Sequence, residues 1–162
     1  MKNKILAAII FLTVFSFHNA GAQSRKFGLG VIIGEPTGIS AKLWLSNTNA
    51  LAFGLGWSVE GYRFDGFDSD YDRVTRTHIH VDYLWHSFSA INSNFPLYYG
   101  IGGRINTGPE YSGTFAVRGV IGIEWLPRST PLDIFIEAVP TLQLISSTGL
   151  GIDAGIGARF FF

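Results

Sequence analysis

The 162-residue chain has no cysteine, so no disulfide braces it and its stability must come from elsewhere. Charge is scarce: Asp, Glu, Lys and Arg make up 15% of residues, against about 25% in an ordinary soluble protein. The formal net charge is zero, with neither a basic block nor an acidic tail, which removes the footprint of a nucleic-acid partner. After residue 23 no stretch holds a helical period. Only one long apolar run exists, Ile5–Phe17, and it falls short of the roughly 20 residues a membrane-spanning helix needs. A short basic stretch, Met1-Lys2-Asn3-Lys4, precedes that run, and the small residues Ala20-Gly21-Ala22 follow it. This pattern predicts a signal peptide over 1–22, cleaved before Gln23, and an exported domain over 23–162.

What is abundant points to strands. Aromatics reach 15% and glycine counts 20. From Lys26 onward the residues alternate with period two, the pattern of a pleat whose successive side chains leave opposite faces. Phe27, Leu29, Val31 and Ile33 oppose Gly28, Gly30, Ile32 and Gly34; Ile79, Val81, Tyr83 and Trp85 oppose His78, His80, Asp82 and His86. The pattern predicts strands over 26–34, 39–46, 50–60, 76–86, 96–105, 113–126, 132–144 and 150–162. Glu35–Gly38, Ser46–Asn49 and Leu126–Pro131 supply turn formers between them. Ser87–Phe95 reads as a further connection, and Pro140 suggests a bulge or a rim position in the seventh strand.

Eight strands with one apolar face close in two ways. A lipocalin-like barrel turns the apolar face inward; a membrane barrel turns it outward. Here the apolar face carries Phe, Leu, Val, Ile, Tyr and Trp, too bulky for the inside of a small barrel. The other face reads as largely Gly, Ala and Ser with scattered charges: Lys42, Glu60, Asp82, Arg104, Arg118, Glu124, Asp133, Glu137, Asp153 and Arg159. Charges of both signs can pair, as a confined interior demands. The fold expected is all-β, an eight-stranded antiparallel up-and-down transmembrane β-barrel. With the N-terminus in the periplasm, the longest connection, Gly61–Thr75, becomes extracellular and the proline-rich one after strand six becomes a periplasmic turn. Trp85 and Trp125 then close inward-running strands, and with Phe27, Phe160 and Phe162 they make a periplasmic aromatic girdle.

At this point the chain resembles the small eight-stranded bacterial outer-membrane proteins of the OmpA-barrel and OmpX type. The likeness runs from Lys26 to Phe162 and is one of architecture. It is sharpest in the last strand, where Ile152, Ala154, Ile156, Ala158, Phe160 and Phe162 share a face. That stretch is similar to the C-terminal signal read by barrel-assembly machinery, which the resemblance implies as a partner during biogenesis. GEPTGISAKLW (Gly34–Trp44) resembles a hairpin recurring in small bacterial barrels and brings no activity with it.

Three constellations invite chemistry. His78, His80 and Asp82 lie on one face, but at about 3.3 Å rise per residue His86 is too distant to share an ion with His80. An interior network of His78, His80 and Asp82 with Arg104, Arg118 and Glu60 is the expectation, and no metal. His86-Ser87 suggests a lipid-modifying enzyme, yet adjacent strand residues face opposite ways and cannot act as base and nucleophile together. No catalytic residues and no cofactor are therefore expected. The loop sequence GYRFDGFDSDYDRVT offers Asp65, Asp68, Asp70, Tyr71 and Asp72 to the extracellular side; it lacks the Glu that ends an EF-hand loop. The Gly-x-Gly pairs complete no dinucleotide motif and read as small lumen residues.

The function expected is a monomeric integral outer-membrane barrel with a side-chain-filled lumen and a structural, adhesive or surface-interaction role, in contact with lipid and a surface ligand. A narrow pore is the alternative, because lumen glycines fill little volume; a lipid-modifying enzyme is the third.

Overall fold

In the computed structural model, which describes residues 25–58, 76–108, 111–145 and 148–162, all regular structure among the described residues is strand. The strands are β1 (Phe27–Gly34), β2 (Thr37–Trp44), β3 (Asn49–Ser58), β4 (Arg76–Asn92), β5 (Phe95–Gly108), β6 (Tyr111–Trp125), β7 (Leu132–Gln143) and β8 (Gly149–Phe161). Each pairs with the next, and β8 pairs antiparallel with β1, so the sheet is a closed barrel with no free lateral edge. The expected signal peptide (1–22), Glu60 and the loop residues Asp65, Asp68, Asp70, Tyr71 and Asp72 lie outside the described residues.

Alternation along the strands sorts the side chains. On β4, His78, His80, Asp82, Leu84 and His86 are buried, while Thr77, Ile79, Val81 and Trp85 are exposed. The exterior is predominantly apolar: Leu150 is 79% exposed, Ile152 67%, and Ile33 and Ile121 64% each. Covering one such side chain is worth about 1.5–3 kcal/mol. A barrel wearing this many is stable only with its outer face in an apolar solvent.

Three turns, at 45–48, 93–94 and 126–131, lie on one rim. Ser46 Oγ accepts from the amides of Thr48 (3.2 Å) and Asn49 (3.0 Å), which closes the first of them. At the opposite rim, Glu35-Pro36 joins β1 to β2. Gly34 has φ +135°, a conformation side chains rarely adopt, and Thr37 Oγ1 both accepts from its amide (3.1 Å) and donates to its carbonyl (2.9 Å). Thr37 and Gly38, expected in the turn, already belong to β2.

Three further expectations are corrected. Ser87–Phe95 is not a loop: β4 continues to Asn92, β5 starts at Phe95, and Ser93-Asn94 turns the chain, with the Asn94 amide donating to Asn92 Oδ1 (2.9 Å). The register shifts between Ser87 and Asn92, so the irregularity is a slipped hairpin end. Trp85 therefore does not close its strand; Trp125 does close β6. Pro140 makes no bulge and lies within β7, because the β6–β7 register is the same on both sides of it. Its ring lies over Gly119, where an added methyl would sit 3.4 Å from Pro140 Cγ. The missing proline N–H thus leaves a gap in the ladder without displacing a strand.

Candidate functional site: a charged and filled lumen

Two ionic clusters occupy the lumen. The one nearer the short-turn rim is built on Lys42 (β2), Glu124 (β6), Asp133 (β7) and Arg159 (β8), each placed inward one or two residues from a strand end. The Lys42 ammonium bonds Glu124 Oε2 and lies 3.7 Å from Asp133 Oδ2, which in turn sits 2.9 Å from Arg159 Nη2. Lys42, Glu124 and Asp133 have no exposed side-chain surface. His86 brings Nε2 to 3.3 Å from Glu124 Oε1, while its Nδ1 is 3.2 Å from the Thr48 carbonyl. Aromatic faces complete the enclosure: Lys42 Nζ lies 4.3 Å from the Trp44 ring centre and the Arg159 guanidinium 3.9 Å from that of Phe135. Two cations balance two carboxylates, the condition for holding charge in a dry interior.

The second cluster lies toward the opposite rim and is organised by Arg118, which is fully buried. Its Nε is 3.0 Å from Asp82 Oδ1, its Nη2 4.0 Å from Glu137 Oε1, and its Nη1 3.2 Å from His78 Nε2. His78 Nε2 is also 2.8 Å from His80 Nδ1. Since a guanidinium only donates, His78 Nε2 is an acceptor, and His80 Nδ1 carries the proton between them. His80 Nε2 then faces Asp82 Oδ2 at 3.7 Å, closing the ring of groups back on Arg118. Arg104 bonds Asp153 across the lumen from β5 to β8.

Between the clusters lies an apolar layer. Ile32, Ala52, Leu84, Tyr98, Val120, Phe135 and Val139 form one buried group. Along β4 the order is Asp82, Leu84, His86; along β6 it is Arg118, Val120, Gly122, Glu124. Tyr98 ties the layer to the charges by donating its hydroxyl to Glu137 Oε2 at 2.9 Å. This corrects the expectation of a lumen lined mostly by Gly, Ala and Ser. It corrects equally the idea that lumen glycines leave room. A methyl added at Gly122 would lie 2.5 Å from the Tyr98 hydroxyl, one at Gly157 2.6 Å from Phe135 Cε1, and one at Gly28 2.9 Å from Phe161 Cε1. The glycines are the floor on which large side chains from neighbouring strands lie.

Of the residues expected in the lumen network, Lys42, His78, His80, Asp82, Arg104, Arg118, Glu124, Glu137, Asp153 and Arg159 all sit on the inward face, in two groups. Phe160 and Phe162 are 44% and 47% exposed on the outer face, while Phe161 is buried inside. Sequence reading missed Trp44 and Tyr98 as parts of the lumen. Parity was the available signal, since Trp44 is two residues from Lys42 and Tyr98 is in phase with Arg104.

Closed, apolar outside and ionic within, the chain is an eight-stranded antiparallel up-and-down barrel of the transmembrane type, with the architecture of the small bacterial outer-membrane barrels. Among solved structures it is similar to the crystal structure of Ail, the attachment invasion locus protein of Yersinia pestis. The identity is 11% and the TM-score 0.40, over 85% of this chain and 94% of that one. No family model and no curated protein matches the chain.

Proposed function

We propose that the protein is an exported, integral barrel of the bacterial outer membrane with a structural, adhesive or surface-interaction role, and that its lumen is closed to ions. The observation that carries this reading is the layered lumen: paired charges on either side of the buried group Ile32, Leu84, Tyr98, Val120, Phe135 and Val139. An ion crossing that layer would shed its hydration with only the Glu137 carboxylate, already bonded to Tyr98, at the same level. In this reading the short-turn rim faces the periplasm, and the connections at 59–75, 109–110 and 144–148 are extracellular. The barrel acts as a monomer that touches lipid, with Phe160 and Phe162 presented to the assembly machinery during biogenesis. The reading gives it no enzymatic role: His86 lies inside the barrel, away from lipid, with Nδ1 3.2 Å from the Thr48 carbonyl and Nε2 3.3 Å from Glu124 Oε1.

Two measurements test it together. Membrane fractionation with gel mobility before and after boiling should place the protein in the outer-membrane fraction with a heat-dependent shift. Planar-bilayer recording of the same folded protein should give a silent membrane. Steady unitary conductance would overturn the closed lumen, and a soluble protein with no mobility shift would overturn the membrane reading.

A further inference from the structure

The short-turn rim carries a cleft of about 480 Å³ at the mouth of the barrel. Its walls include Arg25, Trp44, Arg128, Thr130, Leu132 and Phe161. Arg25, Lys26 and Arg128 are exposed on this rim, and the turns at 45–48, 93–94 and 126–131 contain no carboxylate. Arg128 donates one Nη2 bond to Ser93 Oγ (2.6 Å), which fixes the guanidinium and leaves its other donors for a ligand. The mouth is thus rich in exposed positive charge, unlike the balanced cluster just inside it. Trp44 is the partition between the two: it lines the cleft, and its ring also meets Lys42 at 4.3 Å and His86 at 4.4 Å.

We propose that this cleft binds a phosphate group, with the guanidiniums of Arg25 and Arg128 and the hydroxyl of Thr130 on its oxygens. Forked guanidinium donors match phosphate oxygens geometrically. Leu132 and Phe161 give the remaining volume an apolar wall, which suits the glycerol and first methylenes of a lipid headgroup. The proposal rests on the membrane reading above, which puts this rim level with the headgroups of the periplasmic leaflet. A soluble phosphate would satisfy the same donors without using the apolar wall.

The test uses the full mature chain folded in octyl glucoside, with the heat-dependent gel shift confirming the barrel for every variant. Trp44 emission is followed as the difference between the wild type and Trp44→Phe. The probes are dihexanoylphosphatidylglycerol, inorganic phosphate and uncharged dihexanoylglycerol. Phosphatidylglycerol should give a saturable Trp44-dependent change that dihexanoylglycerol does not, and Arg25→Ala/Arg128→Ala should weaken it about tenfold or more. If inorganic phosphate binds equally well, the phosphate site stands and its ligand is a soluble anion. A heat-shifting barrel without a saturable signal, or a signal unchanged in the double variant, overturns the proposal. Absence of the heat shift in the wild type would instead overturn the membrane reading.

Discussion

Replacing Lys42 with methionine removes the one ammonium in the inner cluster while nearly conserving volume. Glu124 then loses its hydrogen-bonded partner in a site with no exposed side-chain surface, and Asp133 loses a cation at 3.7 Å. Breaking a buried pair from one side costs about 3–5 kcal/mol, because the surviving charge stays desolvated. The lower end applies here, about 3 kcal/mol, because Arg159 remains 2.9 Å from Asp133. That loss shifts the unfolding equilibrium by about a hundredfold. Urea titration of barrels folded into vesicles, read as folded and unfolded bands on unboiled gels, measures it. Lys42→Met/Glu124→Leu removes both charges, keeps the cluster neutral and should recover to within about 1 kcal/mol of the wild type. A single variant costing less than about 1 kcal/mol, or a double variant in which the two losses simply add, would refute the idea that the pair is energetically coupled.

Other expectations are as direct. Gly122→Ala should lose about 1–3 kcal/mol through overpacking against Tyr98 and recover when Tyr98 becomes Leu, whereas Gly149→Ala, with nothing within 4 Å of the added methyl, should be neutral in the same titration. Ile121→Arg, on a side chain 64% exposed, should cost about 2–4 kcal/mol in vesicles if that position lies near the bilayer midplane; no loss would argue against a lipid-facing surface. Leu84→Gly/Val120→Gly/Phe135→Gly, which strips three side chains from the apolar layer, should turn a silent barrel into a conducting one in planar bilayers, provided the gel shift persists.

Period-two alternation made the strands, their faces and the inward charges legible, since a residue's parity within a strand decides which side it meets. It did not reveal how full the lumen is. Leu84, Val120 and Phe135 sit among inward residues on strands whose outward residues are apolar too, so their side is set by register rather than by residue type. The pairing of charges was equally invisible: Lys42 finds Glu124 and Asp133 from β6 and β7, and only barrel closure makes them neighbours. The hairpin end at Ser87–Phe95 was misread because its serines mimic turn chemistry, while the true turn, Ser93-Asn94, carries no glycine or proline.

The β1–β8 seam has a consequence for assembly. Its inward pairs are Gly28 with Phe161, Gly30 with Arg159, Ile32 with Gly157 and Gly34 with Gly155, so every one contains a glycine. Hairpins elsewhere join neighbouring segments, but this contact joins the two ends of the barrel and carries the largest loop-closure cost. A bare backbone opposite each inward side chain lets the first and last strands slide together over an already filled lumen, with no bulky pair to interlock. Closure is therefore expected to come last and to reopen first, and seam amides should exchange with solvent ahead of those between β4, β5 and β6.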